Sequence, residues 1–430
     1  MPTSHFFSML YANQGELAAS PVQPAWLSTL QLVAALAFLL ATTFSGPIRW
    51  MLATAGASVV AYLPILGGLA AALITLGWHF LFGTFGARAL LLCGVLCFSI
   101  FVGMIFIPNT QQVAFAAYVF IPLYMGLLLA PAWQRIIQWR RGALILWSSV
   151  ILAVILNPHF SYPWVGFEYS IGGVSVETGR EWWAGDVTRY SGVARASFDA
   201  AIQAAILMTI VSANTSSRLL RLLIYAASAY CIWLTNSKTV LVVLAAIVVC
   251  IEMSAGWINL LRMPFIAGLV AIGWTMPLVG VLFQPRLNAL NTSASLHSYE
   301  DRLRNMWPDA FDLWLNDGTL VTGRGMGGLG AAQTYFEPHR FNAADNLHLY
   351  LFVTLGLLAA PLIAYVCWQV AKTQVGADRR QRIPLVLFIA ALTYGLTANG
   401  VESAPIALVL GFVARVVCDK TEGRESYGAR

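Results

Sequence analysis

The stretch WLSTLQLVAALAFLLATTF, residues 26–44, contains no charged side chain. A helix needs about 20 mainly apolar residues to cross the hydrocarbon core of a bilayer, and this run has that length. Similar apolar runs follow at 52–83, 88–106, 111–130, 142–157, 197–213, 217–235, 237–254, 259–283, 346–371, 383–399 and 402–418. The pattern predicts about twelve transmembrane helices, or thirteen if the run 52–83, which Pro64, Gly67 and Gly68 interrupt, forms two.

The composition agrees with a membrane protein. Of 430 residues, 59% are hydrophobic and 10% are charged, whereas soluble domains have about 25% charged residues. We therefore expect one all-α polytopic membrane domain, residues 1–430, without nucleic-acid partners. Residues 1–25 lack Lys and Arg, so the first run is expected to be retained rather than cleaved as a signal peptide. The six cysteines fall in or beside apolar runs and show neither a disulfide framework nor metal-ligand spacing.

Basic residues indicate the orientation. Four inter-helix loops carry them, around Arg140, Arg221, Arg262 and Arg382, and with twelve spans all four fall on one side, which the positive-inside rule makes cytoplasmic. Arg49 fits this topology less well. The two long polar stretches, about 158–196 and 284–345, then face outward, the second between helices 9 and 10.

The second outer stretch contains VTGRGMGGLGAA, residues 321–332, which has the spacing G-x-G-x-x-G. A dinucleotide fingerprint needs a strand before it and a helix after it, and a phosphate loop needs a following Gly-Lys-Ser/Thr. Neither context is present, so these glycines indicate close backbone turns beside a bound head group.

Arginines stand beside tryptophans in both outer stretches. Because a guanidinium matches phosphate in a bidentate way, the set predicts an anionic lipid-linked substrate such as a pyrophosphate. The alternative is ordinary pairing with neighbouring carboxylates. Lys238 follows a helix hairpin near the same surface, where it either snorkels or faces the same anion.

Four segments in order carry a family resemblance: RYSGVARASFDAA (189–201), LTNSKT (234–239), DRLRNMWPDAF with VTGRGMGG (301–328), and DNLHLYLFVTLGLLA (345–359). With this hydropathy they resemble the bacterial O-antigen ligase and Wzy-type polysaccharide polymerase superfamily. The resemblance implies a glycosyltransferase of the bacterial inner membrane, with a periplasmic site, an undecaprenyl-pyrophosphate-linked donor and no metal or other cofactor. It assigns pyrophosphate binding to Arg189, Arg195, Lys238, Arg302 and Arg304, and the glycan pocket to Gly325, Gly327 and Asn346. Glu402 lies outside the four segments and is added to the pocket because of its position alone.

The resemblance leaves the acceptor open. Ligases of this family begin a characteristic motif with His, where this chain has Asp345, and end it at a position occupied here by Ala359. This departure favours a polymerase, which extends the next lipid-linked repeat unit. The alternative is a ligase acting on lipid A core, and a chain-length regulator is a further expected partner. A flippase is a third reading, although no internal repeat supports it.

A proton acceptor for the sugar hydroxyl is expected among Asp345, His348 and His339. Asp345 and His348 are three residues apart at a predicted helix start and can share a face. The alternative is that Asp345 only caps the helix and His348 only packs. Glu402, between the last two runs, is a functional candidate because ionisable residues at such depth are costly.

Overall fold

The computed structural model describes residues 23–82, 87–171, 174–184, 187–283 and 294–421. The molecule is mostly helical, at 76%. The helices before the first outer loop are α1 (Ala25–Thr43), α2 (Ser45–Thr54), α3 (Leu63–Leu81), α4 (Ala87–Phe106), α5 (Thr110–Val119), α6 (Ile121–Leu128), α7 (Ala130–Gln138) and α8 (Arg140–Leu156). The helices between the loops are α9 (Ser197–Ala213), α10 (Arg218–Leu234), α11 (Lys238–Glu252) and α12 (Ala255–Phe283). The remaining helices are α13 (Ala294–Asp301), α14 (Trp307–Asp317), α15 (Ala331–Phe336), α16 (Leu347–Leu355), α17 (Ala359–Lys372), α18 (Ile383–Tyr394) and α19 (Ala404–Thr421).

Each apolar run in the sequence contains helix, although the run 383–399 is helical only to Tyr394 and the run 52–83 is interrupted after Thr54. Not every helix has the length of a membrane span. Among the described residues, five helical segments are long and apolar enough to cross a bilayer, or up to seven if the pairs α5–α6, bent by 43°, and α7–α8, bent by 81°, each form one span. These helices are consistent with an all-α membrane protein. The predicted count of twelve goes beyond them and stays a prediction.

Two helices form the centre of the bundle. Most side chains of α9 are buried around its whole circumference, and nearly all of α18 is buried as well. A helix that is apolar on every side is stable only when neighbours cover it. Close packing also joins α6 to α19, because Gly126 lies against the backbone of Leu408 and Gly411 lies against the backbone of Leu123.

Hydrogen bonds join the four basic loops at one end of the bundle, as the sequence predicts. Arg140 donates to the Asn214 carbonyl oxygen at 2.5 Å, and Arg382 donates to the Met253 carbonyl oxygen at 2.6 Å. Arg221 pairs with Glu252 at 2.6 Å. Guanidinium groups at helix C-termini satisfy carbonyl oxygens that have no partner within the helix. These arginines therefore hold neighbouring helix ends together.

The first outer loop is folded rather than extended. It contains two antiparallel hairpins, which the all-α prediction did not include: β1 (Glu168–Ile171) with β2 (Val174–Glu177), and β3 (Trp182–Ala184) with β4 (Val187–Arg189). The Trp164 indole nitrogen donates to the Gly192 carbonyl oxygen at 2.8 Å. The Gly46 amide nitrogen donates to the Val193 carbonyl oxygen at 3.0 Å. These bonds fix the loop against the start of α2.

The described part of the second loop, residues 294–345, also lies on the bundle. A π-helical turn, Arg302–Met306, joins α13 to α14. Trp307, which is fully buried, contacts the Tyr299 ring edge-to-face at a centroid distance of 6.0 Å. The segment is thus a packed element, and the part of the predicted loop at 284–293 lies outside the described residues.

Candidate functional site

Arg302 and Asp345 form an ion pair between the second outer loop and the start of α16. The Arg302 Nη2 and Asp345 Oδ2 atoms are 2.7 Å apart, and Nε donates to the same oxygen at 3.0 Å. The other terminal nitrogen donates to the Ser298 hydroxyl at 3.0 Å. Both side chains of the pair keep partial exposure, 20% and 27%, so a ligand can reach them.

The backbone that presents Asp345 is held in a strained conformation. Ala344 and Asp345 have φ angles of 59° and 41°, a region that L-residues rarely adopt. The Asn342 side chain accepts from the Ala344 amide at 2.7 Å and donates to the Met306 carbonyl oxygen at 2.7 Å. Because Met306 ends the turn that carries Arg302, one amide side chain positions both members of the pair.

The helix cap next to this pair is Asn346 rather than Asp345. The Asn346 carboxamide oxygen accepts from the Leu349 amide at 2.9 Å, as an N-cap does. Its nitrogen donates to the Gly273 and Leu396 carbonyl oxygens, both at 3.0 Å. Asn346 is fully buried, so the structure gives it a structural position instead of the predicted place in a glycan pocket. Because Asn346 caps the helix, the alternative that Asp345 is only its N-cap is wrong.

Arg189 approaches this pair from the first outer loop. It ends β4, opposite Trp182, and its Nε is buried without a hydrogen-bond partner among the described residues. The pKa of Arg189 is lowered from its ordinary value by burial and by repulsion from Arg302. Two guanidinium groups that repel each other in partly desolvated surroundings favour an anion between them.

Tyr394 and Glu402 lie near Asp345. Together with Arg189, Arg302 and Asp345 they are called the first site. The Tyr394 hydroxyl, at the end of α18, interacts electrostatically with Asp345 and Arg302. Glu402 Oε1 accepts from the Ala331 amide at 2.8 Å and from the buried Tyr350 hydroxyl at 3.3 Å. Burial raises the pKa of Glu402 to about 7, and the nearby Asp345 adds to this shift, against the lowering effect of the two hydrogen bonds.

Arg195 belongs to a second group of cations. It interacts electrostatically with Arg49, Arg180 and Asp199, and its pKa is lowered by burial and by the two neighbouring arginines. Its Nε is buried without a partner among the described residues. The sequence prediction of one arginine set is therefore wrong in this respect, because Arg195 and Arg189 have different charged neighbours. Arg49, the basic residue that fits the predicted topology less well, also lies in this group.

The predicted cations Lys238 and Arg304 lie at the edge of these groups. Lys238 is exposed at the start of α11, and the preceding helix is tied to the first site because the Tyr190 amide donates to the Leu234 carbonyl oxygen at 3.4 Å. Arg304 pairs with Glu300, one turn earlier, at 2.9 Å. Residues two apart on a helical turn do not face each other, so Arg302 alone of the two faces Asp345.

The two histidines do not join Asp345. The ring of His348 lies against Gly273 and beside Trp274, with 6.1 Å between the ring centroids. Both its nitrogens are buried without a hydrogen-bond partner among the described residues, so the structure favours the packing alternative for this residue. His339 is exposed on the short 3-10 helix Pro338–Arg340. Neither contact pattern supports the predicted proton transfer.

The glycine turns serve close packing. Gly325 has a φ of 81°, and a Cβ there would lie 2.1 Å from the Gly103 amide nitrogen in α4. Gly327 has a φ of 91° and lies against Gln112 and Ala116 of α5. Both residues are buried, so they join the loop to the bundle, and their predicted contact with glycan is replaced by contact with helices.

A buried ion pair supports the glycine turns, and no sequence pattern predicts it. Arg324 Nη2 and Glu337 Oε1 are 2.7 Å apart, with the Arg324 side chain only 3% exposed. Arg324 also donates to the Gly328 carbonyl oxygen at 2.8 Å, and Gln112 donates to the Gly327 carbonyl oxygen at 2.8 Å. Burial raises the pKa of Glu337, but its hydrogen bonds with Arg324 and Gln112 outweigh this and lower it overall.

The described part of the chain also contains an apolar crevice, and it contains no metal-binding cluster. Among the described residues, no cluster of three or more His, Cys, Asp or Glu side chains is placed to hold a metal ion. A crevice of about 70 Å³ lies between α7, α8, α9 and α19, and Trp133, Ile206 and Phe412 are among its apolar lining residues. It contains none of the predicted site residues.

Comparisons with known proteins return no match: no family model, no curated protein and no solved structure corresponds to this chain. The assignment of function therefore depends on the site itself.

Proposed function

We propose that this chain is a membrane glycosyltransferase that moves a glycan from a polyprenyl pyrophosphate onto the next carrier-linked repeat unit, as a Wzy-type polymerase does. The observation that carries the proposal is the approach of Arg189 to the Arg302–Asp345 pair. The two arginines come from outer loops far apart in the sequence. A pyrophosphate leaving group needs such preformed cations, because its charge grows as the glycosidic bond breaks.

The reaction is a substitution at the anomeric carbon. The acceptor hydroxyl oxygen bonds to that carbon while the bond from carbon to the pyrophosphate oxygen breaks, and the electron pair leaves with the pyrophosphate. The hydroxyl proton passes to a protein carboxylate. Arg302 and Arg189 stabilise the departing diphosphate, and Asp345 positions Arg302 through the two hydrogen bonds to its Oδ2.

Glu402 is the carboxylate that fits the proton acceptor. Asp345 is engaged by Arg302, and a carboxylate held by a guanidinium is a weak base. The pKa of Glu402 is raised to about 7 by burial, and a catalytic base works best when its pKa lies near the working pH. None of the described residues hydrogen bonds to its Oε2, so that oxygen is available to a hydroxyl.

The topology follows from the same proposal. The arginine groups and the four basic loops lie on different elements, and the basic loops meet at one end through bonds such as that from Arg140 to Asn214. With twelve spans in the bacterial inner membrane, that end faces the cytoplasm and the arginine groups face the periplasm. A carrier-linked glycan presented on the periplasmic side then meets Arg189 and Arg302 at head-group depth.

Chain growth in proteoliposomes tests the proposal. Purified protein is mixed with a polyprenyl-pyrophosphate-linked repeat unit, and products are separated on a polysaccharide gel. We expect a ladder with the wild-type protein, none with Arg189→Ala or Arg302→Ala, and an unchanged ladder with Arg141→Ala, an exposed arginine in the first turn of α8. Transfer of glycan only when lipid A core is added would identify a ligase instead. Movement of labelled carrier lipid without any transfer would identify a flippase.

A further inference from the structure

Three arginines from separate parts of the chain meet beside the first site. Arg49 lies on α2, Arg180 precedes β3, and Arg195 precedes α9. The Arg180 amide nitrogen donates to the Arg195 carbonyl oxygen at 2.7 Å, which joins two of these segments directly. All three interact electrostatically with the carboxylate of Asp199. The group therefore has three positive charges around one negative charge.

This excess of positive charge is not balanced within the described part of the chain. Arg49, Arg180 and Arg195 form no ion pair at salt-bridge distance with a described carboxylate. The Nε of Arg195 is buried and has no hydrogen-bond partner there. Desolvated donors without acceptors are costly, and an anion with several oxygens can satisfy them.

Tyrosines surround the same arginines. The Arg49 guanidinium donates to the Tyr169 hydroxyl at 3.3 Å and lies over the Tyr62 ring, 5.4 Å from its centroid. Tyr335, which is 44% exposed, interacts electrostatically with Arg195. Rings with a wet hydroxyl edge suit a ligand that has apolar and hydroxyl faces, and a sugar next to a phosphate is such a ligand.

The group formed by Arg49, Arg180 and Arg195 is separate from the first site, which contains Arg189 and Arg302. Arg195 has Arg49 and Arg180 as cationic neighbours, whereas Arg189 has Arg302. Tyr394 lies between the groups, because it interacts with Asp199 on one side and with Asp345 on the other. Two diphosphates cannot share one small site, since like charges at contact repel strongly. Two cationic groups separated by a tyrosine can each hold one.

We propose that Arg49, Arg180 and Arg195 form a second anion site that binds the diphosphate of the acceptor, a second polyprenyl-linked glycan. This inference rests on the proposed function and makes it narrower: an enzyme with two carrier-diphosphate sites extends a carrier-linked repeat unit, whereas a ligase needs only the donor site. The tyrosines contact the first sugars of the acceptor, and its reactive hydroxyl is directed toward Glu402.

The test counts diphosphates on the purified protein. Titration calorimetry is performed in phosphatidylcholine nanodiscs with geranylgeranyl pyrophosphate as the probe. We expect two equivalents on the wild-type protein and on Arg141→Gln. Arg49→Gln and Arg195→Gln, made separately, should each weaken one equivalent at least about tenfold, or about 1.4 kcal/mol, and leave the other. Arg302→Gln should weaken only the remaining one.

One equivalent on the wild-type protein, or the loss of both through Arg49→Gln alone, would show a single merged site and overturn the inference. Equal competition by phosphatidylglycerol would show a general anionic-lipid site and overturn it too. The result is independent of chain growth in proteoliposomes. Two equivalents without any transfer would contradict the proposed function and retain the second site, whereas a product ladder with one equivalent would do the reverse.

Discussion

Arg302 directs two nitrogens, Nε and Nη2, at one oxygen of Asp345, at 3.0 and 2.7 Å. Both hydrogen bonds end on Oδ2, so Asp345 fixes the direction of the guanidinium while the third nitrogen is held by Ser298. The pair joins the π-helical turn to the start of α16. In the proposed reaction, Asp345 therefore orients the guanidinium of Arg302 and does not accept the proton of the sugar hydroxyl.

We expect Asp345→Asn to reduce transfer strongly and His348→Leu to leave it within a few-fold. The asparagine cannot hold Arg302 by charge, and loss of one oriented donor typically reduces the rate by about 10²–10³-fold. His348 contacts only its packing neighbours, Gly273 and Trp274. Initial rates of chain growth measure both variants, and Arg304→Ala serves as the control. A larger loss in His348→Leu than in Asp345→Asn would return the imidazole to the mechanism.

Transfer should depend on pH through Glu402. Because its pKa is raised to about 7, the carboxylate is mostly protonated at pH 6 and mostly ionised at pH 8, so the rate should rise across this window. Glu402→Gln should be slow at every pH and should lack the rise.

The same shift affects stability in the opposite sense. A carboxyl group whose pKa is higher in the folded state favours folding at low pH, and this contribution is lost as the pH rises through 7. The melting temperature of the wild-type protein in detergent should therefore fall between pH 5 and 8 more than that of Glu402→Gln. Parallel curves for the two proteins would contradict the assignment.

Gly325→Ala should prevent stable folding or lower the melting temperature markedly. The added Cβ would lie 2.1 Å from the Gly103 nitrogen at a φ of 81°, so steric overlap adds to backbone strain; overpacking alone costs about 1–3 kcal/mol. Gly77→Ala is the matched control, because a Cβ there meets nothing within 4 Å. Thermal unfolding monitored by intrinsic fluorescence compares them, and equal melting temperatures would show that the turn can move.

The buried pair Arg324–Glu337 should matter more when it is broken than when it is replaced. Arg324→Met removes the closer of the two cations from the Glu337 carboxylate, which is 15% exposed, and leaves only the half-exposed Arg340 at 3.6 Å. Breaking a buried pair costs about 3–5 kcal/mol, and the loss here should be smaller because Arg340 remains. Adding Glu337→Gln removes that charge, so the double variant should be more stable than Arg324→Met alone. Melting temperatures of the four proteins complete the cycle, and additive losses would rule out coupling.

The pKa of Glu337 adds a pH test of the same pair. It is lowered in the folded protein, so the pair stabilises the fold above the ordinary glutamate pKa, about 4.3. This contribution is lost as the pH falls through the lowered value. The acid melting curve of the double variant should therefore be flatter than that of the wild-type protein.

The apolar runs located the apolar helices, but they did not predict the shorter polar or amphipathic helices α7, α13, α14 and α15. They were not sufficient to count membrane spans, because a short buried helix such as α18 is as apolar as a crossing one. Arg302 was a candidate from the sequence because it lies in a polar stretch beside tryptophans, and the structure pairs it with Asp345. The roles of Arg49 and Tyr394 were not predictable, since each lies on or beside an apolar run and meets its partners only in three dimensions.

The glycine turns are another case in which the sequence predicts the local backbone but not its three-dimensional contacts. Positive φ was a sound expectation for Gly325 and Gly327, but glycine permits a tight turn and a close helix contact equally well. Only the neighbours, Gly103 and Gln112, distinguish the two. The glycine spacing therefore predicted the backbone shape and not the partner.

Gly323 and Gly356 lie so close that a Cβ on either would fall within 2.6 Å of the other's amide nitrogen. The glycine turn and the end of α16, which Gly356 caps, are therefore in direct backbone contact. A chimera that replaces the segment around Gly323 with one from another protein will therefore have to include α16 and Gly356 in the exchange, because these backbone contacts leave no room for an unmatched side chain.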